Sequence, residues 1–368
     1  MAPIAPLRRR RRLRFLPLGV GVLALIAGLW TGLARIGLQL PGGTPQLAEV
    51  HGALMICGFF GTLISLERAV AIGRPWAYGA PALGALAALA LIAGATWPAG
   101  ILFLAASAAL TIVSAVAVKR HPALDTVVLT VAAACWTVGV ARWLNGFPFA
   151  DASGWWLTFL VLTIAAERLE LSRVLNPPRS AKLLFGVAVA LVLAGAAGAG
   201  LDGRFAPLLG AGFIACTAWL LRYDLARRTV HHAGQYRFSA ICMLAGYGWL
   251  GVAGALLLAS PWEPGPFVYD AAVHAIAIGF VLSMVFGHAL IILPAVTGWQ
   301  LRYSSIAYGP LALLHASVAL RIGADLTGAA EPRTMSGLLT IFALVAYAVT
   351  LMVVSRTAPR AANQPVQS

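Results

Sequence analysis

Twelve apolar runs, most of them about 20 residues long and separated by short polar loops, govern what this chain can fold into. A run such as FLPLGVGVLALIAGLWTGLARIGL at 15–38 is long enough, at 1.5 Å per residue, to cross roughly 30 Å of hydrocarbon. Inside lipid no water is present to satisfy backbone N–H and C=O groups, so only helices and closed barrels span it. The sequence lacks the short alternating segments of a barrel. The fold class is therefore all-α, a polytopic membrane helix bundle. Composition agrees: 10% of residues are charged, against about 25% in soluble domains.

Spans are predicted at 15–38, 48–71, 78–97, 99–118, 125–143, 154–173, 182–201, 206–222, 237–260, 267–296, 304–322 and 334–355. The third and fourth are divided at Trp97-Pro98-Ala99-Gly100, and the seventh and eighth at Leu201-Asp202-Gly203-Arg204. This gives a basic arm at 1–14, one transmembrane domain at 15–355 and a tail at 356–368. The first run follows a basic stretch as a signal peptide does, but it is too long and lacks an A-x-A site, so it reads as a retained helix. Abundant Gly and Ala favour close helix approach in lipid.

The net charge of +14 is explained by topology rather than by nucleic acid. With the N-terminus on the cytoplasmic side, all but five of the 26 Lys and Arg residues fall on that side, including Arg8 to Arg12 and Arg14. The exceptions are Arg35, Arg142, Arg204, Arg321 and Arg333, and only the eleventh loop is basic at both ends. The expected location is a bacterial inner membrane, multi-pass, with both termini cytoplasmic. The lipid bilayer is then the first partner, and the basic arm is suited to anionic headgroups. Trp97, Trp155, Trp156 and Trp262 fall at the expected outer interface, where indole prefers to sit.

A faint repeat joins Glu67-Arg68 at the inner end of the second span to Glu167-Arg168 at that of the sixth. Interfacial ion pairs snorkelling to water are the plainer account of it, but the second, sixth and tenth spans stand four apart, leaving three four-helix units open. Cys57, Cys135, Cys216 and Cys242 occur singly in apolar runs and form no metal or haem-attachment motif.

Ionisable side chains inside a membrane are costly, which singles out four histidines. His51 opens the second span and His274 the tenth, at nearly the same depth below the outer boundary, roughly 5–10 Å by helix rise. Neutral imidazole is an axial ligand for haem iron, and Gly52 and Ala275 leave room for a flat macrocycle. Glu49 and Asp270 are placed to accept the second ring N–H of each histidine. Capping of the helix ends by these rings is the plain alternative. His288 and His315 lie deeper, on consecutive spans, and are read either as a weaker haem or copper site or as a polar contact between helices. His121, His231 and His232 lie in inner loops. Thr62, Ser65, Thr130, Thr137, Thr163, Tyr247 and Ser283 read as interhelical hydrogen bonders. Motifs for nucleotide hydrolysis, acyl hydrolysis and zinc proteolysis are absent.

Twelve spans with inner termini and histidines near the outer ends of the second and tenth resemble subunit I of the haem–copper oxidases. In that superfamily, histidines of these two helices hold a low-spin haem. The segment VHAIAIG, followed by GH, is similar to elements of the NnrS family, polytopic haem- and copper-containing proteins linked to nitric oxide stress and denitrification. The resemblance implies b-type haem at His51 and His274, with NO or a redox partner as its counterpart. It departs in two places. The sixth and seventh spans carry no histidine, which argues against terminal oxidase or NO reductase chemistry, and the interval from His274 to His288 is short for NnrS. A small-solute transporter or a membrane scaffold with structural histidines is the alternative; catalytic residues are not identifiable.

Overall fold

A computed structural model describes residues 5–41, 48–199, 203–260 and 267–356, and among these no strand occurs. Twelve helices are long and apolar enough to cross a membrane. They are α1 (Ala5–Arg35), α2 (His51–Ile72), α3 (Pro75–Ile92), α4 (Thr96–Arg120), α5 (Leu124–Leu144) and α6 (Phe149–Leu175). They continue as α7 (Arg179–Ala199), α8 (Gly203–Tyr223), α9 (Gln235–Ala259), α10 (Phe267–Thr297), α11 (Ser305–Thr327) and α12 (Ala330–Arg356). The helical bundle expected from the sequence is the fold. Trp262 and the tail beyond 356 lie outside the described residues.

Consecutive helices pack antiparallel along most of the chain, as short connections require, and α1 returns to touch α12. The second, sixth and tenth helices sit at the centre: α6 touches both α2 and α10, and α2 touches α10. These three are also the most enclosed spans, whereas α12 turns most of its length outward. The four-helix interval seen in the sequence thus corresponds to three inner helices.

Boundaries differ where a residue has a role that its type alone does not reveal. The third and fourth spans divide at Ala93–Ala95, not at Trp97-Pro98-Ala99-Gly100. Gly94, with φ of 80°, takes the left-handed turn, and Pro98 sits in the first turn of α4, where its missing N–H costs nothing. The basic stretch is helical from residue 5 onward, because α1 begins at Ala5 and runs unbroken into the first span, whose apolar part starts at Arg14. Arginine is a good helix former and nothing between Arg8 and Pro17 interrupts the helix.

Two stretches of α2 and α10 depart from α-helical winding. Leu54–Gly61 and Ala275–Leu282 are π-helical, eight residues each, and they begin just after His51 and His274. Such wider turns are uncommon and concentrate at functional sites. Here they mark the same level of two central helices, directly below the two histidines.

Candidate functional site

A cavity of about 1110 Å³, counted to its open mouth, lies between α1, α2, α6, α10, α11 and α12 near the face opposite the chain ends. Both His51 and His274 line it. Its other walls are largely apolar, including Leu33, Met55, Phe60, Val273 and Ile278, with Arg35 and Arg321 as the cationic groups.

Each histidine is oriented through its Nδ1. His51 Nδ1 lies 2.6 Å from the carbonyl oxygen of Gly28, and His274 Nδ1 lies 2.8 Å from that of Asp270. A carbonyl only accepts, so Nδ1 carries the proton in both rings and Nε2 keeps a lone pair. That is the tautomer of a histidine ready to bind a metal through Nε2, with the opposite nitrogen anchored to the protein. The anchor for His51 depends on close approach by α1. Gly28 and Gly32 stand four apart on that helix, and a Cβ at Gly32 would sit 2.7 Å from His51 Cε1. This is the small-xxx-small device of membrane helix packing. Glu49, expected to hold His51, is exposed and does not do so; the carbonyl of Gly28 takes that role.

Asp270 serves His274 differently from the expectation. Its main-chain carbonyl accepts the ring N–H, while its carboxylate Oδ1 stands 3.4 Å from the same nitrogen. The other carboxylate oxygen accepts from Arg321 and from Arg333. Arg321 also donates to Asp325, whose side chain is fully buried, and Arg333 pairs with Asp325 as well. Two cations and two anions from α10, α11 and α12 thus close on one another beside the cavity. This resolves the one loop that broke the charge bias, because Arg321 and Arg333 are neutralised partners rather than loop charges. Across the cavity, Ser153 of α6 and Tyr269 of α10 share a hydrogen bond at 2.7 Å.

The deeper histidines are held by different neighbours in opposite tautomers. His288 Nδ1 lies 2.7 Å from the carbonyl of Met284, leaving a lone pair on a buried Nε2 with no hydrogen-bond partner. His315 accepts at Nδ1 from Trp249 Nε1 at 2.9 Å, so its proton is on Nε2. A ring protonated at that nitrogen does not offer it to a metal, and His288 and His315 make no hydrogen bond to each other, each being held instead by its own neighbour. Among the described residues, no group of three or more His, Cys, Asp or Glu side chains converges. His121, His231 and His232 are exposed, as their loops implied.

Near the face that carries the chain ends, the faint repeat becomes a contact. Arg68 donates to Glu67 at 3.0 Å and to Glu167 of α6 at 2.8 Å. Its counterpart Arg168 is buried, and its Nη1 lies 3.0 Å from Met243 Sδ of α9. Sequence alone missed Gly28, Arg321, Arg333 and Asp325, since a carbonyl anchor leaves no signal and the charged residues read as loop. The eleventh loop's doubled charge was the one available clue.

No curated protein matches the chain. A protein family described as Domain of unknown function (DUF8744) matches residues 12–356, nearly the whole chain and all of α2 to α12. The chain belongs to that family.

Proposed function

We propose that this chain is an integral haem-binding protein of the bacterial inner membrane, holding one b-type haem between His51 and His274. One observation carries the reading: two imidazoles from two central helices line one cavity, each with Nδ1 committed to a carbonyl and Nε2 left as a lone pair. The donor set fits, because neutral imidazole nitrogens are the axial ligands of b-type haem. The cavity fits in character too, being apolar along its walls with a few polar groups converging on it.

The side chains divide the work. His51 and His274 hold the group through Nε2, and the Gly28 and Asp270 carbonyls keep the rings from turning. Arg35, exposed at the cavity, offers a counter-charge to ligand carboxylates. Phe149 and the hydrogen-bonded Ser153–Tyr269 pair line the same cavity on its α6 and α10 side. When bound, haem supplies one-electron exchange at its iron.

The role is electron transfer or nitric oxide-related metabolism, with a redox partner or NO as counterpart, in keeping with the likeness of VHAIAIG to NnrS proteins. The basic loops favour the cytoplasm as the side of both chain ends. Purified protein in detergent tests the reading through its reduced-minus-oxidised visible spectrum. Soret and α bands that vanish in His51→Ala and His274→Ala support it, and a colourless protein loaded with hemin to no effect refutes it. A spectral shift on adding NO to the reduced protein separates NO binding from electron transfer alone.

A further inference from the structure

The cavity of His51 and His274 is walled on one side by the first and last helices of the bundle. Leu29, Leu33 and Ile36 of α1 and Gly337 and Ile341 of α12 all line it. These two helices meet at a short seam. A Cβ at Gly337 would lie 2.7 Å from Ile36 Cδ1 and 3.4 Å from Leu33 Cδ2, and Thr334 Oγ1 donates to the Ile36 carbonyl at 3.4 Å. Further in, each helix leans on different neighbours. α1 packs on α2, where a Cβ at Gly28 would lie 2.7 Å from Met55 Sδ and one at Gly58 3.2 Å from Ala24 Cβ. α12 packs on α11 and α10: Thr340 Oγ1 donates to Ser317 Oγ at 2.9 Å, and the Tyr347 ring stacks on Phe286 at 3.9 Å.

The polar end of α12 is tied down. Asp270, Arg321, Asp325 and Arg333 join α10, α11 and α12 there, and the Arg333 guanidinium lies 4.7 Å over the Phe267 ring. Ile341 stands two turns further in, about 12 Å by helix rise, a depth within the ~30 Å of hydrocarbon. The outward faces here are apolar and exposed, Ile26 and Trp30 on α1 and Leu338 and Phe342 on α12. The same cavity reaches Phe60 and Leu282, which are only 3% and 2% exposed. A charged molecule would lose its hydration on a path through such walls, whereas an uncharged apolar one already favours the hydrocarbon.

We propose that the cavity opens sideways into lipid between Leu29 of α1 and Ile341 of α12, and that a small uncharged molecule enters it from the hydrocarbon. The Gly337 seam and the ion network bound this passage toward the face opposite the chain ends, and the Tyr347–Phe286 stack bounds it deeper in. A molecule taking it reaches the two imidazoles without passing Arg35, the exposed cation of the cavity. Its part as a reactant rests on the haem reading, in which NO is of this class; the passage itself does not.

Photolabelling of the full-length protein in liposomes tests this whether or not the protein is coloured. An uncharged aryl diazirine dissolved in the bilayer is irradiated, and the labelled residues are located by peptide mass spectrometry. Phe60 and Leu282 are expected to carry label, as the exposed Leu183 of α7 does. Phe159 and Phe213, fully buried and away from the cavity, stay unlabelled. Ile341→Trp, or Leu29→Trp from the other side, is expected to cut the label at Phe60 and Leu282 several-fold while Leu183 is unchanged, and Ile341→Ala to raise it. A protein that stays colourless with hemin yet labels in this way refutes the haem reading and keeps the passage. Absence of label at Phe60 and Leu282, label insensitive to both tryptophan variants, or stronger label there from a charged diazirine in the water overturns the proposal.

Discussion

Arg321 of α11 donates to the carboxylate of Asp270 on α10 at 2.5 Å, and the same aspartate turns its backbone carbonyl to His274. One residue therefore joins an ion network to the ring that faces the cavity. The charges are buried, so their attraction mainly offsets the cost of removing them from water. What the network secures is geometry, because α10, α11 and α12 cannot slide without separating charges in an apolar setting.

Asp270→Asn removes an anion and leaves Arg321 and Arg333 sharing Asp325. Loss of one partner from a buried pair costs about 3–5 kcal/mol. The thermal midpoint in detergent is expected to fall clearly, and further than in Arg333→Met, since Arg333 is the more exposed arginine. Equal midpoints for Asp270→Asn and wild type contradict the network's role.

Gly32→Ala tests the fit of α1 against His51. The new methyl lies 2.7 Å from His51 Cε1, so the ring must shift and its bond to the Gly28 carbonyl must lengthen. Haem occupancy, measured as Soret absorbance per protein, is expected to drop several-fold. Gly186→Ala on α7, where a Cβ meets nothing within 4 Å, leaves occupancy unchanged.

Arg68 balances two carboxylates, Glu67 on its own helix and Glu167 on α6. Arg68→Met leaves both without their cation, and the protein is expected to unfold at lower temperature. Adding Glu67→Gln and Glu167→Gln to that variant recovers most of the loss, because the unpaired charges are then gone. A triple variant no more stable than Arg68→Met shows that the ion pairs were not the source of the effect.

Asp224 gives a pH dependence with a definite sign. Its folded-state pKa is raised, so the unfolded chain releases the proton at a lower pH than the folded protein does. The contribution is fully present below about pH 3.9, the unfolded value, and is lost as pH rises through the folded value. Asp224→Asn should therefore gain stability over wild type near neutral pH, and the gain should shrink on acidification. Chemical unfolding at several pH values reads this directly, and a difference that does not vary with pH removes Asp224 from the account.

All four cysteines are buried and free, which gives a low background for cysteine labelling of topology. His232 and Asn145 are exposed on opposite faces of the bundle. An impermeant maleimide applied to spheroplasts should label Asn145→Cys and spare His232→Cys until the membrane is opened. The reverse pattern inverts the orientation read from the basic loops.

The bundle was legible because spanning imposes length and apolarity on every helix, and these survive in any single sequence. His51 and His274 were legible for a related reason: a polar ring in an apolar run stands out, and helix rise places it in depth. Their supports were not. Gly28 holds His51 through a main-chain carbonyl, which every residue has, so nothing in the sequence marks it. Glu49 looked apt by adjacency alone, yet it is exposed. His288 and His315 are on neighbouring helices, but their tautomers depend on Met284 and Trp249, which only the packing reveals. Pro98 misled because its effect depends on whether it falls in a helix interior or in a first turn.

The most direct measurement of the central claim is the spin state of the oxidised protein by electron paramagnetic resonance, with one haem per chain. Two strong imidazole ligands make ferric iron six-coordinate and low-spin. The wild type is expected to give a low-spin signal that converts to high-spin, or disappears with the haem, in both His51→Ala and His274→Ala. A wild-type signal that is high-spin, or a low-spin signal that survives either substitution, contradicts it.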